Sequence, residues 1–365
     1  MTRTVLVTGV SRHLGGIVAR ELSGDPRVSR VLGVDVIPPP HPIGDAEFVR
    51  ADIRNPMIGG ILADAEVDTV VHMNVIATPT LAGGRAPQKE INVIGTMQLL
   101  GACQKSASVR RLVVKSTSAV YGATPCDPAM FTEDMAAKRI PSSGYGKDSI
   151  EVEGYVRGFA RRRPDVEILT LRFANVVGPR IRTAVTDYFS LPVIPVPMGF
   201  DARLQFMHEQ DAVAATVQAT LGDTTGVVNL AGDGVLTVFQ AVALTKRPFV
   251  LIPKVAAGPI STVTKRLGLT DFSPDQLDLL AYGRGIDTTL MRERFGFEPA
   301  FTSRTAFADF ARSLSPVLPA ASGIDAAVAG AVGSVGSAVG SAVGEFIDVT
   351  TRSVDQVTAW TRRDH

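Results

Sequence analysis

The sequence has few of the residues on which several classes of protein depend. Its 365 residues include only two cysteines, so we expect no disulfide framework and a reducing, cytoplasmic location. The cysteines and the five histidines show no metal-ligand spacing, which argues against a metal site. Lysine and arginine (37) almost balance aspartate and glutamate (36), so no excess of positive charge favours nucleic acid as a partner.

Long apolar runs are also missing from the first 320 residues, so we expect no membrane-spanning helix there. Residues 326–344 differ, because these 19 positions hold only Ala, Val, Gly and Ser. Two interpretations stay open: a flexible linker, or a small-residue helical segment that contacts a membrane surface or another subunit. Residues 345–362 have the pattern of a short amphipathic helix with a basic end, which suits the inner face of a membrane.

The first 175 residues alternate short β-branched apolar runs with longer segments of helical periodicity. The predicted strands are Thr4–Thr8, Val31–Asp35, Thr69–His72, Arg111–Ser116 and Glu167–Arg172, and the predicted helices are Leu14–Ser23, Gln88–Gln104 and Tyr145–Arg162. Apolar strands separated by helices are typical of a doubly wound α/β fold with a parallel sheet covered on both faces. We expect this nucleotide-binding domain over 1–175, with 203–236 returning to the sheet, a smaller substrate lobe over 176–315 and a low-complexity helical tail over 316–365.

A glycine-containing turn, Thr8-Gly-Val-Ser-Arg-His-Leu-Gly15, follows the first strand and opens the first helix. Such a turn makes an anion site, because free backbone amides and the positive end of the helix dipole face a pyrophosphate. Gly9 permits the tight turn, and Gly15 lets the helix and the strand pack closely. Arg12 replaces the middle glycine of the usual motif, and it either contacts a phosphate or lies at the surface.

The second strand ends at Asp35, 20 residues after Gly15. A carboxylate at this place accepts hydrogen bonds from the adenosine ribose diol and repels a 2′-phosphate, which favours NAD over NADP. The alternative is a solvated aspartate at a strand end. Arg12 weakens the preference, because a cation nearby is able to receive a 2′-phosphate.

Together with motifs further along the chain, these features resemble the extended short-chain dehydrogenases/reductases of the NAD-dependent epimerase/dehydratase family over about residues 3–310. The motifs are Thr8-Gly…Gly15, Asp35, Asp52-Ile53-Arg54, Val70-Val-His72, Asn92…Thr96, Ser116…Gly122, Glu133-Asp134, Tyr145-Gly, Leu171…Pro179, Phe206…Asp211 and Val228…Gly232. The resemblance implies a Rossmann-type sheet, NAD as cofactor and a homodimer. It also implies a UDP-glucose 4-epimerase-like reaction, in which hydride moves reversibly between the cofactor and a nucleotide-sugar or a related hydroxyl compound.

The resemblance also assigns the site residues. For the cofactor they are Gly9, Ser11, Arg12, Leu14, Gly15, Asp35, Asp52, Ile53, Met73, Asn74, Asn92, Ser116, Tyr145 and Ser149, with Asp52 and Ile53 at the adenine and Met73 and Asn74 along the dinucleotide. For the substrate they are Thr117, Ser118, Asn175 and Arg180, with Asn175 near the substrate phosphates. Thr117 and Tyr145 take the catalytic positions.

The tyrosine of this family is normally followed, one helical turn later, by a lysine, and here that position holds Ser149. An unperturbed tyrosine has a pKa of about 10, and the missing lysine is the group whose charge lowers it. Lys147 lies nearly on the opposite helical face from Tyr145. Lys115 projects to the same side of its strand as Thr117. We therefore hypothesise that Lys115 supplies the missing charge; the alternative is a strand-end lysine that reaches solvent.

Two other functions stay open from the sequence. UDP-sugar epimerases usually carry an Arg-Asp-Phe/Tyr-x-His segment, whereas this chain has Leu204-Gln-Phe-Met-His208 with Arg203 displaced by one position. An arginine displaced by one residue in a strand points to the other face. The altered segment and Ser149 favour a non-catalytic NAD-binding sensor or scaffold protein. A dehydrogenase of hydroxysteroids or other lipid alcohols is the third possibility.

Overall fold

The structure, a computed structural model, describes residues 2–77, 83–141, 144–253 and 274–315. The strands are β1 (Arg3–Thr8), β2 (Val28–Asp35), β3 (Glu47–Arg50), β4 (Thr69–His72), β5 (Arg111–Thr117), β6 (Glu167–Phe173), β7 (Asn175–Val177), β8 (Ile194–Pro197), β9 (Arg203–Leu204), β10 (Phe206–His208), β11 (Gly226–Leu230), β12 (Leu236–Thr237) and β13 (Phe249–Ile252). The α-helices are α1 (His13–Ser23), α2 (Ile58–Asp64), α3 (Arg85–Lys89), α4 (Thr96–Lys105), α5 (Gly144–Arg162), α6 (Ala184–Phe189), α7 (Glu209–Leu221), α8 (Val238–Thr245), α9 (Pro274–Tyr282), α10 (Thr289–Glu293) and α11 (Ser303–Ser313).

Seven strands form one parallel sheet in the order β11-β6-β5-β4-β1-β2-β3. This order and the helices on both faces confirm the predicted doubly wound, Rossmann-type fold. The strands predicted in the first 175 residues agree with the structure to within three residues at each end. The predicted helix over 88–104 is instead divided into α3, a π-helical segment at Glu90–Gly95 and α4.

Each face of the sheet has its own apolar core, as the alternation of side chains along the strands requires. On one face, Val5 and Val7 of β1 pack with Val18 of α1 and Ala215 of α7. On the other face, Leu6 belongs to a second core; its other members include Leu62, Leu99 and Val156, from α2, α4 and α5 respectively.

The segment 203–236 returns to the large sheet only through β11, which pairs with β6. The short strands before it belong to two-stranded sheets, since β9 pairs with β12 and β10 pairs with β7. Leu204 and Phe206 explain this difference from the prediction, because they are buried with Phe189 and Phe307 in the core of the second lobe.

The predictions for residues 316–365 lie outside the described residues. In the described ranges, no helix has the length and apolar character needed to cross a bilayer.

Candidate functional site

A cavity of about 640 Å³ lies at the carboxyl edge of the sheet. The segments that follow β1 and β4 form one wall, and residues of the second lobe, including Arg180 and Leu279, form the opposite wall. β1 and β4 are adjacent strands at which the chain reverses its direction of winding, and ligands of such sheets bind in this crevice.

The cavity gathers more than half of the predicted site residues. Those that line it are Ser11, Arg12, Leu14, Gly15, Met73, Lys115, Ser116, Thr117, Tyr145, Asn175 and Arg180. The others lie outside its lining: Gly9, Asp35, Asp52, Ile53, Asn74, Asn92, Ser118 and Ser149.

The turn after β1 needs glycine at two of its positions. Gly9 has φ +79°, and a Cβ atom there would lie 3.0 Å from the Cα of Asn74. A Cβ on Gly15 would lie 2.2 Å from the carbonyl oxygen of Gly9, a distance that no side chain tolerates. Arg12, in contrast, has φ −88° and ψ 147°, which is extended backbone open to any residue. A side chain therefore fits where the family motif has its middle glycine.

Hydrogen bonds to Asp35 stabilise this turn. Its Oδ2 accepts hydrogen bonds from the amide of Ser11 at 3.0 Å and from the Ser11 hydroxyl at 2.5 Å, and its Oδ1 accepts one from the amide of Val36. The carboxylate thus lies at the end of β2 beside the anion-binding turn, which is the place from which a ribose diol is recognised.

Asp52 and Ile53 lie in the loop that follows β3. The Asp52 carboxylate is paired with the guanidinium of Arg54, which lowers the pKa of Asp52, mainly through that hydrogen bond. Ile53 is a core residue, and a Cβ on Gly95 of the π-helical segment would lie 2.8 Å from its side chain. In this arrangement Ile53 supports the fold beneath the π-helical segment.

Asn92 belongs to a buried polar network beside the cavity. Its side chain accepts from the amide of Ile76 at 2.7 Å and donates to the carbonyl of Ile76 and to Asp148. Asp148 is fully buried, and Arg85 holds both of its oxygens at 2.5 and 2.6 Å. Arg85 also donates to the carbonyl of Gly144, at the start of α5. The network therefore fixes the first turn of α5 against the segment that follows β4.

Tyr145, in this first turn of α5, and Thr117, at the end of β5, line the same cavity. Burial raises the pKa of the Tyr145 phenol above its ordinary value; the charge of Asp148 adds to this, while hydrogen bonding to Ser149 and Thr117 acts in the opposite direction. The hydroxyl of Ser149 donates to the carbonyl of Tyr145 at 2.8 Å, within the helix. Ser149 thus adds no charge to the cavity.

Lys115 extends from β5 into the cavity, and its ammonium donates to the carbonyl of Val75 at 3.1 Å. Burial, and then the charge of Arg12, lower the pKa of Lys115 from 10.5 to about 8. The lysine therefore reaches the segment that follows β4, where the charge of Arg12, in the turn after β1, acts on it.

The substrate-side residues are more scattered. Asn175 starts β7 and donates to the carbonyl of Gln205 at 3.3 Å. The side chain of Arg180 is exposed at the cavity, and its backbone amide donates to Glu209. Ser118 is buried at the start of a 3₁₀ turn, Ser118–Tyr121.

Comparison with known proteins decides the family. The model of the NAD dependent epimerase/dehydratase family matches residues 5–231. The chain belongs to this family. Membership confirms NAD as the predicted cofactor, and the glycine turn, Asp35 with its hydrogen bonds to Ser11, and the cavity at the switch point are features that fit it. The protein named uncharacterized protein Rv0501, from Mycobacterium tuberculosis, is 44% identical over 322 residues, which cover 87% of this chain and 86% of that protein.

Solved structures share the fold of this family member. MoeE5 in complex with UDP-glucuronic acid and NAD has a TM-score of 0.66 at 23% identity, covering 85% of this chain and 98% of that one. The UDP-glucose 4-epimerase of Thermotoga maritima with UDP-glucose also has a TM-score of 0.66, at 21% identity and the same coverage of both chains.

The sequence did not identify Arg85 and Asp148 as neighbours of the site. A signal was present, because Asp148 lies three residues after Tyr145 and so shares its helical face. A carboxylate on a buried face needs a cation partner. The sequence offered no means of choosing Arg85, which is 63 positions away, among the many arginines.

The low pKa of Lys115 predicts that the ligand-free protein is more stable without this charge. A fall from 10.5 to about 8 corresponds to about 3 kcal/mol of unfavourable burial. Partial exposure and the loss of the bond to Val75 reduce the expected gain for Lys115→Met to about 1–2 kcal/mol. The gain is full below about pH 8 and disappears as the pH rises toward 10.5, because the folded protein then no longer carries the buried charge.

Denaturant unfolding of the ligand-free protein at pH 7 and at pH 10 measures this gain. Lys147→Met is the matched control, since Lys147 lies on α5 outside the cavity lining and should change stability little at either pH. A Lys115→Met protein that is less stable than the wild type at pH 7 would contradict the prediction.

Proposed function

We propose that this protein is an NAD-dependent oxidoreductase that acts on a nucleotide-sugar or a related hydroxyl compound by reversible hydride transfer. The observation that carries the proposal is the position of Thr117 and Tyr145, which line one cavity together with the glycine turn of a family that binds NAD. An acid–base hydroxyl and a cofactor site are thereby within reach of one small molecule.

Each residue has a defined task in this proposal. NAD supplies the hydride acceptor when it is bound. Tyr145 exchanges a proton with the reacting hydroxyl of the substrate, and Thr117 orients that hydroxyl by hydrogen bonding. Lys115 supplies a positive charge to this cavity in place of the lysine that position 149 lacks. Asp148 and Arg85 hold Tyr145 in position through the start of α5.

The charges of the second-lobe wall support a substrate that carries phosphate groups. Three arginines of the second lobe and Arg139 line this part of the cavity, whereas Asp278 is the single carboxylate among the described lining residues; the three are Arg180, Arg182 and Arg284. Arginine is suited to phosphate, because its guanidinium donates paired hydrogen bonds. The bound UDP-sugars of the structural relatives are consistent with this class of substrate.

One observation favours a second candidate, a non-catalytic NAD-binding sensor or scaffold. The pKa of Tyr145 is raised rather than lowered, and Ser149 contributes no charge to correct this. A sensor would bind NAD and respond to it without turning over any hydroxyl compound.

A turnover panel separates the two candidates. The protein is incubated with NAD and with UDP-glucose, UDP-galactose or UDP-glucuronic acid, and both the sugar products and the reduced nicotinamide are measured. The proposal predicts conversion of at least one sugar, and loss of that conversion in Lys115→Met but not in Lys147→Met. Binding of NAD with no conversion in the whole panel would favour the sensor.

A further inference from the structure

The amine of Lys115 lies in the crevice between the segments that follow β1 and β4. Its acceptor, the carbonyl of Val75, belongs to the segment after β4. That segment adjoins the glycine turn, because a Cβ on Gly9 would lie 3.0 Å from Asn74. A lysine of the fifth strand therefore reaches the place where the two cofactor-binding segments meet.

Arg12 places a second positive charge in the same crevice. It lines the cavity, and its charge is strong enough at Lys115 to help lower the pKa of that lysine. Arg12 also stands at the cap position of α1, where Ser, Thr, Asp or Asn more often satisfies the first helical amides. The positive end of the α1 dipole thus adds to the two cations.

Within the described ranges, Arg12 is the charged group that acts on the pKa of Lys115, and no carboxylate counteracts it. His72 of β4 is buried between the hydroxyls of Thr8 and Thr96, and burial and the charge of Lys115 lower its pKa to about 4, so it is neutral. Tyr145 of α5 is also uncharged, because burial raises its pKa. His13 of α1 faces Glu209 at 3.5 Å. Among the described residues, Lys115 forms no ion pair.

Two like charges held together in a partly buried crevice repel each other, and an anion placed between them removes the repulsion. We propose that Arg12 and Lys115 form a clamp for the diphosphate of the dinucleotide, and that the dinucleotide binds to the form of the protein in which Lys115 is protonated. The proposal rests on the proposed function for the identity of the dinucleotide. It adds a lysine of β5 to the diphosphate site and couples cofactor binding to a proton.

The direction of the pH effect follows from the pKa of Lys115. Below about pH 8 the amine already carries its proton, so the affinity for the diphosphate does not depend on pH. Above that pH the free protein loses the proton and must take it up again on binding. The dissociation constant should then rise by about tenfold per pH unit, until the pKa of the liganded protein is reached.

Binding of ADP-ribose, measured by calorimetry from about pH 7 to pH 9.5, tests the clamp without any turnover. ADP-ribose has the diphosphate but no nicotinamide, and adenosine, which has no phosphate, is the control ligand. The wild type should lose affinity for ADP-ribose above pH 8 and take up protons on binding. Its affinity for adenosine should not change with pH.

The variants give distinct results. Lys115→Arg should bind ADP-ribose tightly without pH dependence, because its charge persists over the whole range. Lys115→Met should bind weakly without pH dependence. Arg12→Met should weaken binding and move the start of the pH dependence upward, since one cause of the low pKa is removed. His13→Gln should keep the wild-type dependence.

The clamp is wrong if the wild type binds ADP-ribose equally well across this range, or if UDP and not ADP-ribose shows the pH dependence. The second result would assign the two cations to the diphosphate of the substrate. Either result leaves the proposed function intact if a sugar is converted. Conversely, a pH-dependent affinity for ADP-ribose with no hydride transfer supports the clamp and overturns the proposed function.

Discussion

Turnover of a Tyr145→Phe variant falls by about 10²–10⁴-fold, the usual contribution of a general acid–base group. The phenol lines the cavity beside Thr117, and the hydroxyl of Ser149 donates to the helix backbone, so Ser149 does not replace the phenol as proton carrier. NAD affinity should fall far less than turnover, because the glycine turn and Asp35 are untouched. Steady-state kinetics and NAD titration of the same preparation measure both effects.

Tyr155→Phe is the control for this variant. Tyr155 lies on the same helix, is 37% exposed, and is not part of the cavity lining, so its hydroxyl should be dispensable. If Tyr145→Phe retained the turnover of the wild type and of Tyr155→Phe, another residue would have to carry the proton.

The pH dependence of turnover is a second test of the role of Tyr145 as the acid–base group. Because burial and the charge of Asp148 raise its pKa, the ionised phenol becomes more abundant throughout the alkaline range. Oxidation of the substrate hydroxyl, which requires a base, should therefore accelerate with rising pH. This holds when the cofactor is saturating, so that the pH dependence of its binding does not enter the rate.

A Gly15→Ala substitution should destabilise the fold by about 3 kcal/mol and weaken NAD binding by at least about tenfold. The added Cβ would lie 2.2 Å from the carbonyl oxygen of Gly9, and both groups belong to the backbone of the turn. Backbone atoms cannot rotate away as the end of a flexible side chain can. The turn or α1 must therefore move, and the amides that face the diphosphate move with it.

Gly101→Ala is the matched control for this substitution. Gly101 lies inside α4, and a Cβ there would have no neighbour within 4 Å. Alanine at this position should stabilise the helix by about 0.5–1 kcal/mol and leave NAD affinity unchanged. Denaturant unfolding and NAD titration compare the two variants, and equal effects of both would contradict the account of the turn.

The sequence predicted five strands of the large sheet, because these are nearly continuous runs of β-branched and aliphatic residues separated by helical segments, but it did not predict β3. The glycine turn was predictable for a similar reason, since Gly9 and Gly15 are required by the backbone itself. Short strands such as β9 and β10 carry too few residues to show a pattern. Their pairing depends on the core of the second lobe, which brings Leu204 and Phe206 beside Phe307.

The sequence predicted individual residues of the candidate site but not how they are arranged in space. Lys115 was selected from strand alternation alone, and the structure places it in the cavity. The proximity of Lys115 to Arg12 depends on how β1, β4 and β5 are arranged in the sheet, and no local sequence pattern predicts that arrangement. The same holds for Arg85 and Asp148, whose pairing joins segments 63 positions apart.

The central claim is that the protein transfers hydride between a hydroxyl compound and NAD at Tyr145. The most direct test incubates the wild type and Tyr145→Phe with NAD and a nucleotide-sugar deuterated at the carbons that bear its hydroxyl groups. Mass spectrometry then follows the deuterium into the nicotinamide. The account predicts deuterated nicotinamide with the wild type and almost none with Tyr145→Phe. Bound NAD that acquires no deuterium from any nucleotide-sugar or related alcohol would contradict it.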